Sequence, residues 1–147
     1  MRHAILMTIL PLALVACAPS PAPEPGGPQA GHGMTVVNVT ATYRERILLP
    51  PGHVLKVRVE DVSLADAPAR VLAEHSEPLN GRAPPYQATL GFPASQIDQR
   101  HTYAVRAEIR DPAGALRFTT DTRHAVLTNG APASADIVLV AVRLSSY

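Results

Sequence analysis

From Thr35 onward, apolar and polar residues alternate along the chain with a period of two. In "TVVNVTATY", Val37, Val39, Ala41 and Tyr43 share one face, while Val36, Asn38, Thr40 and Thr42 take the other. "HVLKVRVEDV" sets Leu55, Val57 and Val59 against Lys56, Arg58 and Glu60. "YQATLGF" groups Tyr86, Ala88, Leu90 and Phe92, and "TYAVRAEIR" turns Tyr103, Val105, Ala107 and Ile109 away from Arg106, Glu108 and Arg110. "LRFTT", from Leu116, continues the pattern. Alternation of this kind predicts half-buried strands of antiparallel sheet. "DIVLVAVRL", Asp136 to Leu144, is apolar on both faces, as a strand buried within a sheet would be. Two shorter strands are expected near Ala69 to Ala73 and Arg123 to Leu127. No long window keeps a helical stripe, and only "PASQIDQRH" after Phe92 is expected to form one short helical turn.

Turn residues fall between these runs. "LPPG" (Leu49 to Gly52) has Pro early and Gly late, and "DPAG" (Asp111 to Gly114) reads as a hairpin connection. "NGRAPP" from Asn80 and "TNGAP" from Thr128 are further breaks. The expected fold is an all-β antiparallel β-sandwich of about seven to eight short strands.

Before Thr35 the period disappears. "APSPAPEPGGPQAGHG", Ala18 to Gly33, is dominated by Pro and Gly and cannot repay the entropy of ordering. It is expected to be a tether, reaching roughly 40–50 Å when extended at ~3.1 Å per residue. His32 within it is expected to be solvated. Upstream, Met1-Arg2-His3 leads into the apolar run Ala4 to Ala16. A bilayer-spanning helix takes roughly 20 apolar residues, so this run is too short and fits the start of a bacterial export signal. "LVAC", formed by Leu14, Val15, Ala16 and the chain's single cysteine Cys17, resembles the lipobox of bacterial lipoproteins. The resemblance implies cleavage before Cys17 and acylation of its thiol and amine, which anchors the chain firmly. Ala18 follows the cysteine, whereas Asp there is the usual inner-membrane retention signal, so the outer membrane is expected. The chain thus divides into a lipoprotein signal peptide (1–16), a lipidated cysteine with a flexible linker (17–34) and a β-sandwich domain (35–147).

Charge and composition narrow the partners. Thirteen basic residues, less Arg2 in the leader, balance twelve acidic ones. A neutral mature chain lacks the basic footprint that nucleic acid requires. Contact with the membrane is expected through the lipid on Cys17 alone. Once Cys17 is acylated no thiol remains for a disulfide, and with aromatics at 4% the core must be aliphatic.

Longer blocks carry a second resemblance. "YRERILLPPGHVLKVRVEDVSLADAPARVLAE" (Tyr43 to Glu74) and "QIDQRHTYAVRAEIRDPAGALRFTTDT" (Gln96 to Thr122) resemble the YbaY/YscW family of small lipoproteins. The shared blocks are an aliphatic residue before PPG, then D-V-S-x-A-D, I-D-x-R-x-x-Y-x-V-x-A-x-I and L-x-F-x-T-D-T. The resemblance spans roughly Thr35 to Leu144. It implies a β-sandwich lipoprotein, with one branch serving as type III secretion pilotins and another consisting of uncharacterised envelope lipoproteins. The phrasing of "VEDVSLADAPARVLAE" is closer to the second branch.

Catalytic signatures are missing. The sequence has no GxSxG elbow, no GxxxxGK[ST] and no HExxH, and its histidines lack pair spacing for a metal. Glu60 and Asp61 are adjacent on a strand and so point to opposite faces. Asp61, Ser63, Asp66, Asp98 and Asp121 are expected to end strands and bond the local backbone. Tyr103 is expected to be a buried ring whose hydroxyl meets a backbone group. No enzyme, cofactor or metal site is expected. Asp98, Arg100 and His101 form the densest polar group and are the candidate contacts for a ligand or client. The expected role is a monomeric, lipid-anchored module that binds or assembles an envelope protein at the periplasmic face of the outer membrane. The client would meet an edge strand with Val36, Asn38, Thr40 and Thr42 on its outer face, or a hydrophobic groove to which the apolar strand Ile137 to Leu144 contributes. A small-ligand or glycan carrier and a structural, stress-related envelope protein are the alternatives.

Overall fold

The computed structural model describes residues 33–143. The lipobox residues Leu14, Val15, Ala16 and Cys17, the linker with His32, and Leu144 lie outside the described residues. Eight strands follow one another: β1 (Met34–Tyr43), β2 (Val54–Asp61), β3 (Arg70–Pro78), β4 (Tyr86–Pro93), β5 (Tyr103–Arg110), β6 (Leu116–Thr119), β7 (His124–Val126) and β8 (Ser134–Ala141). A single 3-10 turn, Ala94–Gln96, links β4 to β5. The two weaker strands and the short helical turn are therefore present, with β3 running five residues past its expected end at Ala73.

The strands hydrogen-bond in the order β3-β2-β5-β6-β8-β1-β4, with β7 also paired to β5. The end strands β3 and β4 touch without forming a ladder, so the sheet is a nearly closed barrel. The fold is all-β, as the alternation predicts. In detail it is one rolled sheet where two stacked sheets were expected. Nor is it wholly antiparallel, because β8 lies parallel to β1 from Asn38↔Ser134 to Tyr43↔Leu139. Parallel neighbours require a long crossover, and here almost the whole domain serves as that crossover.

A rolled single sheet has one dry face, and the alternating residues fill it. Val37, Val39, Ala41 and Tyr43 of β1 meet Leu55, Val57 and Val59 of β2, and Tyr103, Val105, Ala107 and Ile109 of β5 complete the core. The same geometry corrects two expectations. β1 lies between β4 and β8, so the outward residues Val36, Asn38, Thr40 and Thr42 are not on an edge strand. β8 is central, yet only Ile137 and Leu139 are buried; Val138 is 37% exposed because nothing is stacked on the outer face.

The open seam has its own protection. On β3, Ala73, His75 and Glu77 pair with Val59, Val57 and Leu55 and share their inward side. Glu77 pairs with Arg82 at 3.1 Å, and a bulge interrupts the register at Val59/Glu60. Inward charge and a bulge both discourage edge-to-edge association.

The turn ending "LPPG" depends on its glycine. Gly52 adopts φ +95°, and a Cβ there would sit 2.8 Å from Pro112 Cγ. Gly114 also has positive φ, +83°, but faces open space. Gly52→Ala is therefore expected to destabilise by about 2 kcal/mol or more and Gly114→Ala by about 1 kcal/mol, read from paired denaturant melts. Equal losses would show that the Pro112 contact relaxes freely.

Candidate functional site

The order and register of the strands place the start of β5 and the ends of β2 and β7 together, at the end of the barrel where β1 begins. The densest polar network lies there. His101 Nδ1 is 2.6 Å from Asp61 Oδ2. Asp61 Oδ1 accepts the Ser63 amide at 3.0 Å and the Ser63 hydroxyl at 2.5 Å. Ser63 Oγ in turn accepts the Thr102 amide at 2.9 Å, and Thr128 Oγ1 donates to the His101 carbonyl at 2.7 Å. Three segments are latched by one carboxylate and two hydroxyls.

An Asp, a His and a Ser lie close together here, but not in a nucleophilic arrangement. The Ser63 hydroxyl bonds the carboxylate and an amide, and no bond joins it to the imidazole. A base that does not reach the hydroxyl cannot activate it. Burial pushes the Asp61 carboxyl up, but the bonds from Ser63 and His101 outweigh it and leave its pKa below the usual 3.8. The latch is accordingly complete above that value and is lost as pH falls through the lowered pKa. Asp61→Ala is expected to cost about 1–3 kcal/mol at neutral pH and to flatten the acid limb of stability below about pH 4. Urea melts across pH test this; an unchanged acid limb would assign the limb to other groups.

Asp98 and Arg100 neighbour this network but turn to each other. Arg100 Nε and Nη2 approach Asp98 Oδ1 and Oδ2 at 3.0 and 2.7 Å, and the Arg100 amide also donates to Oδ1. The Arg100 guanidinium and amide hold the Asp98 carboxyl far below the usual carboxylate range. The Asp98 amide donates to the Tyr103 hydroxyl at 2.9 Å, and that ring is 1% exposed, as expected of it. The structure therefore brings Asp98 and Arg100 together and gives His101 to Asp61. Each of these three side chains already has a partner, Asp98 and Arg100 within the turn and His101 across on β2, so an incoming ligand would have to displace an existing bond. Asp66 and Asp121 lie in loops and make no side-chain bonds among the described residues.

The outer face of β2 and β5 is a ladder of charge. Lys56 pairs with Glu74 at 3.2 Å, Arg58 lies 3.3 Å from Glu60 and 3.7 Å from Glu108, and Arg110 meets Glu108 at 3.0 Å. The carboxylates here are consumed by neighbouring cations.

Grooves lie elsewhere. One of about 450 Å³ is walled by Ile47, Leu48, Pro50, Pro51, Pro112 and Arg117, at the barrel end opposite the latch. Ile47 and Leu48 are 54% and 61% exposed, although the Tyr43 hydroxyl donates to the Ile47 carbonyl and fixes the loop. A second, of about 350 Å³, runs over β8. Val138 and Val140 form its floor, Asp121, Thr122 and His124 one wall, and Arg44, Glu45 and Asp136 the remaining rim. It exists because the ladder on that side of β8 is interrupted. β8 pairs with β6 only at Thr119↔Val140 and Phe118↔Ala141, and the next bond is Leu127 N to the Pro132 carbonyl.

The apolar run from Ile137 supplies the groove expected of it, while the walls come from segments the alternation does not mark. Thr120 to Arg123 interrupt what would be one continuous strand from Leu116 to Val126, and the polar run at that break is the signal in the sequence.

Comparisons with known proteins agree with this architecture. Residues 32–139 match the family described as type III secretion system lipoprotein chaperone (YscW). The chain is 35% identical to the uncharacterized lipoprotein YbaY of Escherichia coli (strain K12) over 107 residues, 73% of this chain and 55% of that protein. It thus spans about half the length of that relative. Among solved structures, it resembles an alternative pilotin from the type II secretion system of Vibrio cholerae, with a TM-score of 0.72 and 38% identity. That likeness covers 76% of this chain and 99% of the pilotin chain. A match across most of the chain, through the same rolled β-domain, makes this protein a member of the YscW family of lipoprotein chaperones.

Proposed function

We propose that this protein is a lipid-anchored, non-catalytic chaperone of pilotin type that binds an envelope protein at the periplasmic face of the outer membrane. The observation that carries the reading is the likeness to the Vibrio cholerae pilotin, which extends over nearly that whole chain. Cys17 carries the lipid, and Leu14, Val15 and Ala16 direct its processing. The linker then feeds into β1 at the barrel end that holds the latch. Exposed Ile47 and Leu48 and the open part of the β8 groove are away from that end, where a client can reach them. Asp98, Arg100 and His101 act in this reading as the fastening of the tethered end, and the domain works as a monomer.

Quantitative proteomics of membranes with and without the chain tests the proposal. One outer-membrane protein should lose its assembled form, seen on native gels, and recover it on complementation. An unchanged membrane proteome and unchanged assemblies would contradict the chaperone reading.

A further inference from the structure

The groove over β8 holds a combination found nowhere else on the described surface. Glu60, Asp61, Glu74, Glu77, Asp98 and Glu108 all lie within ion pairs or beside histidines, and Asp111 is bonded to the amides of its own turn. The remaining carboxylates among the described residues are Glu45, Asp66, Asp121 and Asp136. Three of these four line the one groove, and none has an ion-pair partner among the described residues. Arg44 and His124 share the rim, so three carboxylates outnumber the basic side chains there. Beneath it, Val138 and Val140 offer two aliphatic steps on one face of a strand.

The backbone adds a second requirement. Leu139 buries its side chain in the core, so it lines the groove through its main chain. From Ser134 to Leu139, β8 is bonded to β1 on one side and has no strand ladder on the other. Unpaired strand edges are templates for another extended backbone. The opening is closed at both ends, by the Thr119↔Val140 pair and by the Leu127–Pro132 bond. β7 packs beside β8 without a ladder and takes up part of this length, so only a short segment fits, roughly three or four residues at ~3.3 Å each.

We infer that the groove receives a short extended segment of the client in which aliphatic residues alternate with Lys or Arg. The aliphatic side chains rest on Val138 and Val140. The basic ones meet Glu45, Asp121 and Asp136, and the segment's backbone bonds the free edge of β8. This assignment rests on the chaperone reading and adds the place and the chemistry of the contact.

The test uses the full-length lipoprotein in lipid nanodiscs and a display library of short random peptides. Peptides alternating aliphatic and basic residues should be enriched. Their affinity should fall on the order of tenfold in Val138→Glu and in Asp121→Asn/Asp136→Asn, and should also fall at high salt. N-methylation at alternate backbone positions should abolish binding, whereas side-chain contact alone would tolerate it. Enrichment of acidic peptides, or of none, overturns the inference, as does binding that ignores all of these variants. In the last case the peptides bind elsewhere, so the chaperone reading stands while the groove assignment falls.

Discussion

Phe118→Ala is expected to destabilise the domain by about 3–5 kcal/mol, among the largest losses from any single substitution here. Phe118 lies at the junction that holds the barrel together. Its backbone pairs with Ile109 on one side and Ala141 on the other, making it part of the short ladder between β6 and β8. Its ring stacks on Tyr43 at 4.8 Å, and Tyr43 in turn meets Tyr86 at 6.3 Å. Those three rings join β6, β1 and β4 in a core that also holds Phe92 and Tyr103 among its aliphatic side chains, more aromatic than the composition suggests. Removing the ring leaves a void beside residues already pinned by the Tyr43 and Tyr86 hydroxyls, which donate to the Ile47 and Arg82 carbonyls at 3.0 Å each. The surroundings are poorly placed to collapse, which puts the cost in the upper range for such changes. Guanidinium denaturation of Phe118→Ala beside Arg117→Ala measures it. The exposed Arg117 should change stability by no more than about 0.5 kcal/mol. A loss under about 1 kcal/mol for Phe118→Ala would mean the aromatic junction is dispensable.

Cys17→Ala is expected to have the largest effect in the cell. Wild-type chain should carry lipid on Cys17 and sediment with outer membranes; the variant should take up no labelled palmitate and leave the membrane fraction. Acylation of both the thiol and the amine, as the lipobox implies, would meet the two signals that stable anchoring requires, so its loss should remove the outer-membrane attachment. The folded domain should melt as before, because its core begins well after this residue. Intact mass and palmitate labelling read the outcome. A wild-type chain with free Cys17 and an uncut leader would sink the anchor assignment.

How far the sequence discloses this molecule depends on whether a feature is local. Period-two alternation located β1, β2, β4 and β5 because each buries one face, and the turns at Leu49–Gly52 and Asp111–Gly114 bracketed them. Tyr103 was legible for the same reason, since its hydroxyl partners lie only a few residues away at Gln96 and Asp98. Closure of the sheet was not legible. Whether β8 sits beside β1, and in which direction, is decided by contacts between chain ends that leave no local pattern. His101 shows the same limit within the candidate site. Its sequence neighbours Asp98 and Arg100 suggested a cluster of three, but its partner Asp61 is forty residues away and meets it only because β2 pairs with β5. The β8 groove was half legible. Its valines appear in the apolar run, while Arg44, Glu45 and Asp121 reach it from two other connections.

The most direct test of a client-binding chaperone is photo-crosslinking in living cells, from single positions in the full-length chain. A photoreactive residue at Val138 or Leu48 should repeatedly join one envelope protein, the same one whose assembly fails without the chain. The same residue at Arg106, on the charged outer face of β5, should not. If all three positions instead recover the same abundant neighbours, the domain has no client surface, and the chaperone account of this protein is wrong.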